Sequence, residues 1–226
     1  MSAYFIAGTD TEIGKTFVTC SLLHAARSRG LRAVGMKPIA AGADRVNGEL
    51  INEDAARLRS AGSFDPGLAL LNPYCLASPI APHIAAAEEG IVLELSPIVE
   101  ALSTLQAQAE LVLVEGVGGF RVPLRDDYDT ADLARDLGLP VILVVGMRLG
   151  CISHALLTVE AIQARGLKIA GWLANQVDPA MLRFDENVAA LRQRIGAPLL
   201  GMVPFQIDGN PASAAAALSF PPDGGR

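Results

Sequence analysis

The chain has 226 residues, 51% of them hydrophobic and 19% charged, with a formal net charge of −6. That is enough apolar material for one large α/β domain, and it argues against general disorder. The acidic balance and the dispersed Lys and Arg residues disfavour nucleic acid or an anionic membrane surface as partner.

No apolar run approaches the roughly 18 residues of a membrane helix. The opening Met1-Ser2-Ala3-Tyr4 has no basic n-region, and Phe5-Ile6-Ala7 is too short for a signal h-region. Three cysteines, Cys20, Cys75 and Cys151, show no paired spacing. Reduced thiols in a cytoplasmic protein are the expectation.

In chain order, β-rich runs at 3–7, 32–36, 111–115, 141–145, 169–174 and 199–203 alternate with helical stretches at 15–29, 53–60, 96–109, 130–137, 153–165 and 182–195. Several of the runs are continuously apolar, as parallel strands covered on both faces must be. The pattern predicts an α/β fold: a doubly wound, mostly parallel sheet with helices on both faces, in a single domain spanning 1–226. Residues 61–90 carry four prolines and read as irregular. The Ala-rich stretch from about 209, ending in Pro221-Pro222-Asp223-Gly224-Gly225-Arg226, reads as a weakly ordered tail.

The first strand is followed by Gly8-Thr9-Asp10-Thr11-Glu12-Ile13-Gly14-Lys15-Thr16 and then a helix. A strand, a glycine-bearing turn ending Gly-Lys-Thr and a helix form a phosphate-binding loop. Backbone N–H groups and the helix N-terminus face the phosphates, Lys15 supplies a cation, and the Thr16 hydroxyl ligates Mg²⁺. Five residues separate Gly8 from Gly14, one more than the usual loop has.

Sites in open α/β sheets form at the carboxyl ends of strands, and each later run ends in chemistry-bearing residues. Lys37-Pro38 follows the second; Lys37 is either a solvated turn lysine or a cation beside transferring phosphates. Glu115 closes the third, before Gly116-Val117-Gly118-Gly119, at a position suited to supporting Mg²⁺. Asp54 is either a second metal carboxylate or a first-turn acid that complements the helix dipole.

Gly150-Cys151-Ile152-Ser153 opens a helix, with Ser153 a candidate N-cap, and would serve either as plain capping or as an anion site. Asn175-Gln176-Val177-Asp178 resembles the guanine-reading Asn-Lys-x-Asp pattern with glutamine in place of lysine; Asn175 equally suits adenine. Asp126, Asp127 and Asp129 are explained by capping and solvation. His24, His83 and His154 show no ligand spacing.

Taken together, GTDTEIGKT at 8–16, KPIAAG at 37–42, EGVGG at 115–119, LGCISH at 149–154 and GWLAN at 171–175 resemble the dethiobiotin synthetase family, over residues 3 to about 204. The resemblance implies a homodimeric ATP-dependent ligase that uses Mg²⁺ and CO₂ to close the ureido ring of 7,8-diaminopelargonic acid in biotin biosynthesis. It implies that Glu12, Ile13, Gly14, Lys15, Thr16 and Phe17 cradle ATP and that Thr16, Asp54 and Glu115 surround Mg²⁺. Lys37, with Lys15, becomes the catalytic cation. Thr11 and the backbone of Gly116, Val117 and Gly118 face substrate and phosphate.

By the same resemblance, Asn175 and Gln176, with Pro204, Phe205 and Gln206, would bound the adenine pocket, and Leu149, Gly150, Cys151 and Ser153 would hold the substrate carboxylate across the dimer interface. Ala41 stands where the family commonly has Ser or Thr, and Ser153 where many members have Asn; both bear on substrate affinity more than on reaction type. The rival readings are a partition- or cargo-type ATPase switch, whose loop carries an extra lysine where this chain has Asp10, a corrin-directed amide ligase, and a GTPase switch.

Overall fold

Six strands form one all-parallel sheet: β1 (Ser2–Gly8), β2 (Ala33–Met36), β3 (Leu111–Glu115), β4 (Val141–Met147), β5 (Ile169–Gln176) and β6 (Leu199–Val203). Their order across the sheet is β6-β5-β4-β1-β3-β2 in this computed structural model, which describes residues 1–205 and 209–222. The direction of winding reverses at β1, whose neighbours are β3 and β4. The loop leaving β1 therefore opens at the crevice where doubly wound sheets bind ligands.

Period-two alternation divides the strand side chains between two cores. Phe5, Ala7, Val112, Val114, Leu143 and Val145 face one side, against Leu102 and Leu105 of α3 (Leu95–Gln108), Ala134 of α4 (Thr130–Leu137), Val159 and Ile162 of α5 (Cys151–Ala164) and Leu191 of α6 (Phe184–Arg192). Ile6, Leu111, Leu113, Ile142 and Val144 face the other. There they meet Val18 and Leu22 of α1 (Lys15–Ser28) and Leu58 of α2 (Glu53–Ala61). Covering both faces is what makes the strands read as unbroken apolar runs, and every residue of β3 and β4 is buried. Truncating a fully enclosed side chain such as Leu22 to alanine costs about 2–5 kcal/mol.

All six expected strands form, and β1, β4 and β5 run longer than expected. Asn175 and Gln176 are consequently the last residues of β5 rather than part of the loop after it. The helix expected from residue 153 begins at Cys151, because Gly150 takes a left-handed φ of 95° and is itself the N-cap. Ser153 is therefore an exposed first-turn residue and caps nothing.

Residues 61–90 are less irregular than their prolines imply. Tyr74–Leu76 pairs with Ile39–Ala41, between short helices Leu68–Leu71 and Pro82–Glu88. Two hairpins escape a reading by apolar runs. One, Asp44–Val46 with Glu49–Ile51, turns on Asn47-Gly48, both at positive φ, a signal that the Asn-Gly pair itself carries. The other places Asp126 and Asp127 at the turn between Pro123–Arg125 and Tyr128–Asp129. Asp129 then caps α4 in a reciprocal capping box with Asp132.

Residues 209–222 of the tail expected to be weakly ordered carry structure, and Asp223 to Arg226 lie outside the described residues. Pro211–Ala214 is helical, and Ala214 and Leu218 are buried in the core cluster that contains α1. The alanines that made the segment look featureless allow this close approach. No helix among the described residues is long and apolar enough to cross a membrane.

Candidate active site

The phosphate loop is held from both sides. Thr9 N–H donates to the Val144 carbonyl (3.1 Å), and Gly146 N–H donates to Thr9 Oγ1 (3.3 Å). Arg148 pairs with the Asp10 carboxylate (2.5 Å). At the far end, Asn175 Nδ2 donates to the Ile13 carbonyl (2.8 Å).

Glu12 (φ 58°) and Gly14 (φ 76°) both adopt left-handed backbone. For Glu12 that conformation costs energy and is typical of ligand-binding turns. At Gly14 a Cβ would lie 2.3 Å from Asn175 Nδ2, so only glycine fits. The fifth residue of the long loop is thereby accounted for: Ile13 buries its side chain in the core and gives its carbonyl to β5.

Around the mouth of the loop, one carboxylate oxygen organises the polar groups. Glu115 Oε1 accepts from Thr16 Oγ1 (2.7 Å) and from Lys37 Nζ (2.7 Å). Lys37 Nζ also reaches Asp54 Oδ2 (3.0 Å) and the Gly116 carbonyl (3.4 Å). Glu115 is fully enclosed, and its second oxygen, Oε2, has no partner among the described residues. An acceptor left over in such a place fits a cation held jointly with Thr16 and Asp54.

Burial opposes the charge on Lys37, but Glu115 and Asp54 overrule it and hold its pKa above the ordinary value. Lys37 is therefore a fixed cation and not a base. Burial likewise pushes against Asp54, and Lys37 overrides it, keeping that carboxyl below the usual range. Lys15 goes the other way: burial, reinforced by the Lys37 charge, brings it down to about 8. Its ammonium donates to the Asp10 carbonyl (2.9 Å).

These residues line a cavity of about 370 Å³ together with Thr11, Glu12, Gly14, Phe17, Val117 and Gly118. A second cavity of about 270 Å³ lies beyond Phe17, between Asn175, Gln176, Val177, Pro204 and Phe205. Gln176 Oε1 accepts from the Phe205 N–H (3.4 Å) and its amide donates to the Asp178 carbonyl, so it shapes the wall. A larger cavity of about 530 Å³ lies at the opposite end of the sheet, between Ser2, Tyr4 and Phe220, away from every residue of this cluster.

A family model described as an AAA domain matches residues 2–213. The ATP-dependent dethiobiotin synthetase of Aromatoleum aromaticum is 70% identical over 219 residues, covering 97% of each chain. That of Xanthomonas oryzae pv. oryzae is 52% identical over 97% of this chain and 98% of its own. The chain belongs to the dethiobiotin synthetase family.

Solved structures of lower identity share the fold. The Aquifex aeolicus cell division protein MinD superposes with a TM-score of 0.57 at 16% identity, over 96% of this chain and 93% of that one. A Pyrococcus horikoshii septum site-determining MinD gives 0.58 at 18%, over 95% and 92%. The chain thus shares its framework with these cell division proteins, and sequence identity places it with the dethiobiotin synthetases.

One group of residues expected in a dethiobiotin synthetase site lies apart from the rest. Leu149 is almost wholly exposed, and Gly150 and Ser153 are exposed as well. The Cys151 side chain is buried, and burial raises its thiol pKa. Leu149 to Ser153 line neither cavity and within one chain stand clear of Lys37. Gln206 lies outside the described residues.

Three lining residues escaped the sequence reading. Ala40 and Asn52 join Ala41 on the wall; Asn52 caps α2 and donates to the Gly42 carbonyl (2.6 Å). Arg57 is the third. A fourth group supports the site from behind: Asn72 Nδ2 donates to the Lys37 carbonyl (2.7 Å), and the Lys37 N–H donates to the Leu71 carbonyl (2.7 Å). Asn72-Pro73 reads in sequence only as a turn.

Proposed function

We propose that the protein is the ATP-dependent ligase that forms dethiobiotin from 7,8-diaminopelargonic acid and CO₂ in biotin biosynthesis. Family membership supports the reaction. The observation that carries the site is the convergence of Lys37, from the end of β2, with Lys15 and Thr16 of the phosphate loop around Glu115.

In this reading one substrate amine adds to CO₂, losing a proton to give a carbamate. A carbamate oxygen attacks the γ-phosphorus of ATP and ADP departs, leaving a carbamic–phosphoric anhydride. The second amine attacks the carbonyl carbon, phosphate leaves, and the amine proton is lost as the ring closes. One ATP is consumed per ring.

The protein's part is to bring three reactants together and to stabilise charge. Lys15 leaves the Asp10 carbonyl for the β- and γ-phosphates, which restores its proton affinity. Lys37 faces the transferring group as a permanent cation. Thr16, Asp54 and Glu115 would hold Mg²⁺, which when bound neutralises phosphate oxygens. The backbone from Gly116 to Gly118 and the Thr11 side chain flank the reacting end, and the Phe17–Asn175–Phe205 cavity receives the adenine.

Exposed Leu149, Gly150 and Ser153 fit a homodimer in which each copy presents its α5 start to the substrate carboxylate in the other. Free Cys20, Cys75 and Cys151 suit a reducing, cytoplasmic setting. The test is mass spectrometry of the product made with ¹³C-bicarbonate. One labelled carbon in a ureido ring is expected, whereas an unlabelled or uncyclised product would contradict the assignment.

A further inference from the structure

Beside the phosphate cavity, a third one of about 360 Å³ lies between α1 and α2, lined among others by Thr16 and Phe17 of α1 and Arg57 of α2. Arg57 lines this cavity and the phosphate cavity alike, and so do Thr16 and Phe17. Phe17 in turn borders the base cavity. Arg57 thus stands on the wall that the phosphate cavity shares with the space between α1 and α2.

The charges in the phosphate cavity leave room for a further cation. Its lining cations are Lys15, Lys37 and Arg57, and its anions are Glu12, Asp54 and Glu115. Lys37 is already committed to both Glu115 and Asp54. Without Arg57, the side-chain cations lining the cavity would be Lys15 and a Lys37 already paired with two carboxylates.

Arg57 itself is held only lightly. It pairs with Glu53 one helical turn earlier, and the two side chains are 57% and 77% exposed. An exposed pair at that spacing changes an equilibrium by only about twofold, and a planar guanidinium gains far more from phosphate oxygens, which it meets with two parallel hydrogen bonds.

We propose that Arg57 is a nucleotide-binding residue that exchanges Glu53 for the phosphates of bound ATP or ADP. The proposal rests on the assignment of the phosphate loop as the nucleotide site and adds to it a cation contributed by α2. Because Arg57 is exposed, its removal leaves the fold intact.

The experiment is calorimetric titration of ADP, with adenosine followed by NMR, into the full chain and its variants. Arg57→Ala should weaken ADP roughly ten- to a hundredfold while leaving adenosine and the melting temperature unchanged. Glu53→Gln should tighten ADP by about twofold, and this gain should vanish when Arg57→Ala is also present. Unchanged ADP affinity in Arg57→Ala would overturn the proposal, as would equal losses for ADP and adenosine. Lys15→Ala separates the two levels. If Lys15→Ala abolishes ADP binding and Arg57→Ala does not alter it, only the role of Arg57 falls; if Lys15→Ala binds ADP normally, the nucleotide site itself is misassigned.

Discussion

Lys37 Nζ lies 2.7 Å from Glu115 Oε1, the same oxygen that accepts the Thr16 hydroxyl. One carboxylate therefore couples the end of β2 to the first turn of α1, and any change in how Thr16 engages a ligand is felt by Lys37. Replacing Lys37 by glutamine keeps a donor for Glu115 but removes the charge. We expect kcat to fall by about 100-fold or more, with the nucleotide dissociation constant changed by less than about threefold. A purely KM effect would reduce Lys37 to a binding group.

Lys15 sets a pH dependence whose sign follows from its depressed pKa of about 8. Phosphates favour the ammonium form, so nucleotide affinity should be level below that pH and fall as pH rises through it. Binding near pH 8 should take up a fraction of a proton, and binding near pH 6.5 almost none. Calorimetry in buffers of different ionisation enthalpy reads this directly, and absence of uptake at the higher pH would show that Lys15 is not the group that titrates.

Asp54 contributes to the acid side of stability. Its folded pKa is lowered by Lys37, so the stabilisation is present above the ordinary carboxylate range and is lost as pH falls through the lowered value. Asp54→Asn should therefore flatten the acid limb of a plot of melting temperature against pH. An unchanged limb would place the acid-labile interaction elsewhere.

Asn175 gives its amide N–H to the Ile13 carbonyl (2.8 Å), which leaves the side-chain oxygen as an acceptor for the proposed base. In the proposed adenine site that oxygen would accept from the exocyclic amine of adenine and repel the carbonyl of guanine. ATP should be preferred to GTP by about tenfold or more, and Asn175→Asp should keep the direction of that preference. Gly14→Ala, which forces a Cβ against this amide from a left-handed backbone, should abolish nucleotide binding. A GTP preference in competition assays would defeat the base assignment.

Most of the sheet was legible because each strand is buried on both faces and advertises itself as an apolar run. The residues at the strand ends were legible for the same reason: once β1, β2 and β3 lie side by side, Thr16, Lys37 and Glu115 meet, and Asn175 at the end of β5 borders the neighbouring cavity. What stayed hidden acts through backbone or charge rather than pattern. Gly150 displaces Ser153 as N-cap because a left-handed turn ends the preceding loop, and propensity alone favours the serine. Asn72 holds Lys37 through a carbonyl, a contact with no sequence period. Arg57 lies on the exposed side of an amphipathic helix, where a cation reads as solvated surface.

The most direct measurement of the central assignment is phosphate release from ATP with 7,8-diaminopelargonic acid and bicarbonate supplied together or singly. Release that requires both, with one phosphate per dethiobiotin formed, is the expected result. Hydrolysis at the same rate without the diamine would contradict it and favour the partition- or cargo-type ATPase reading.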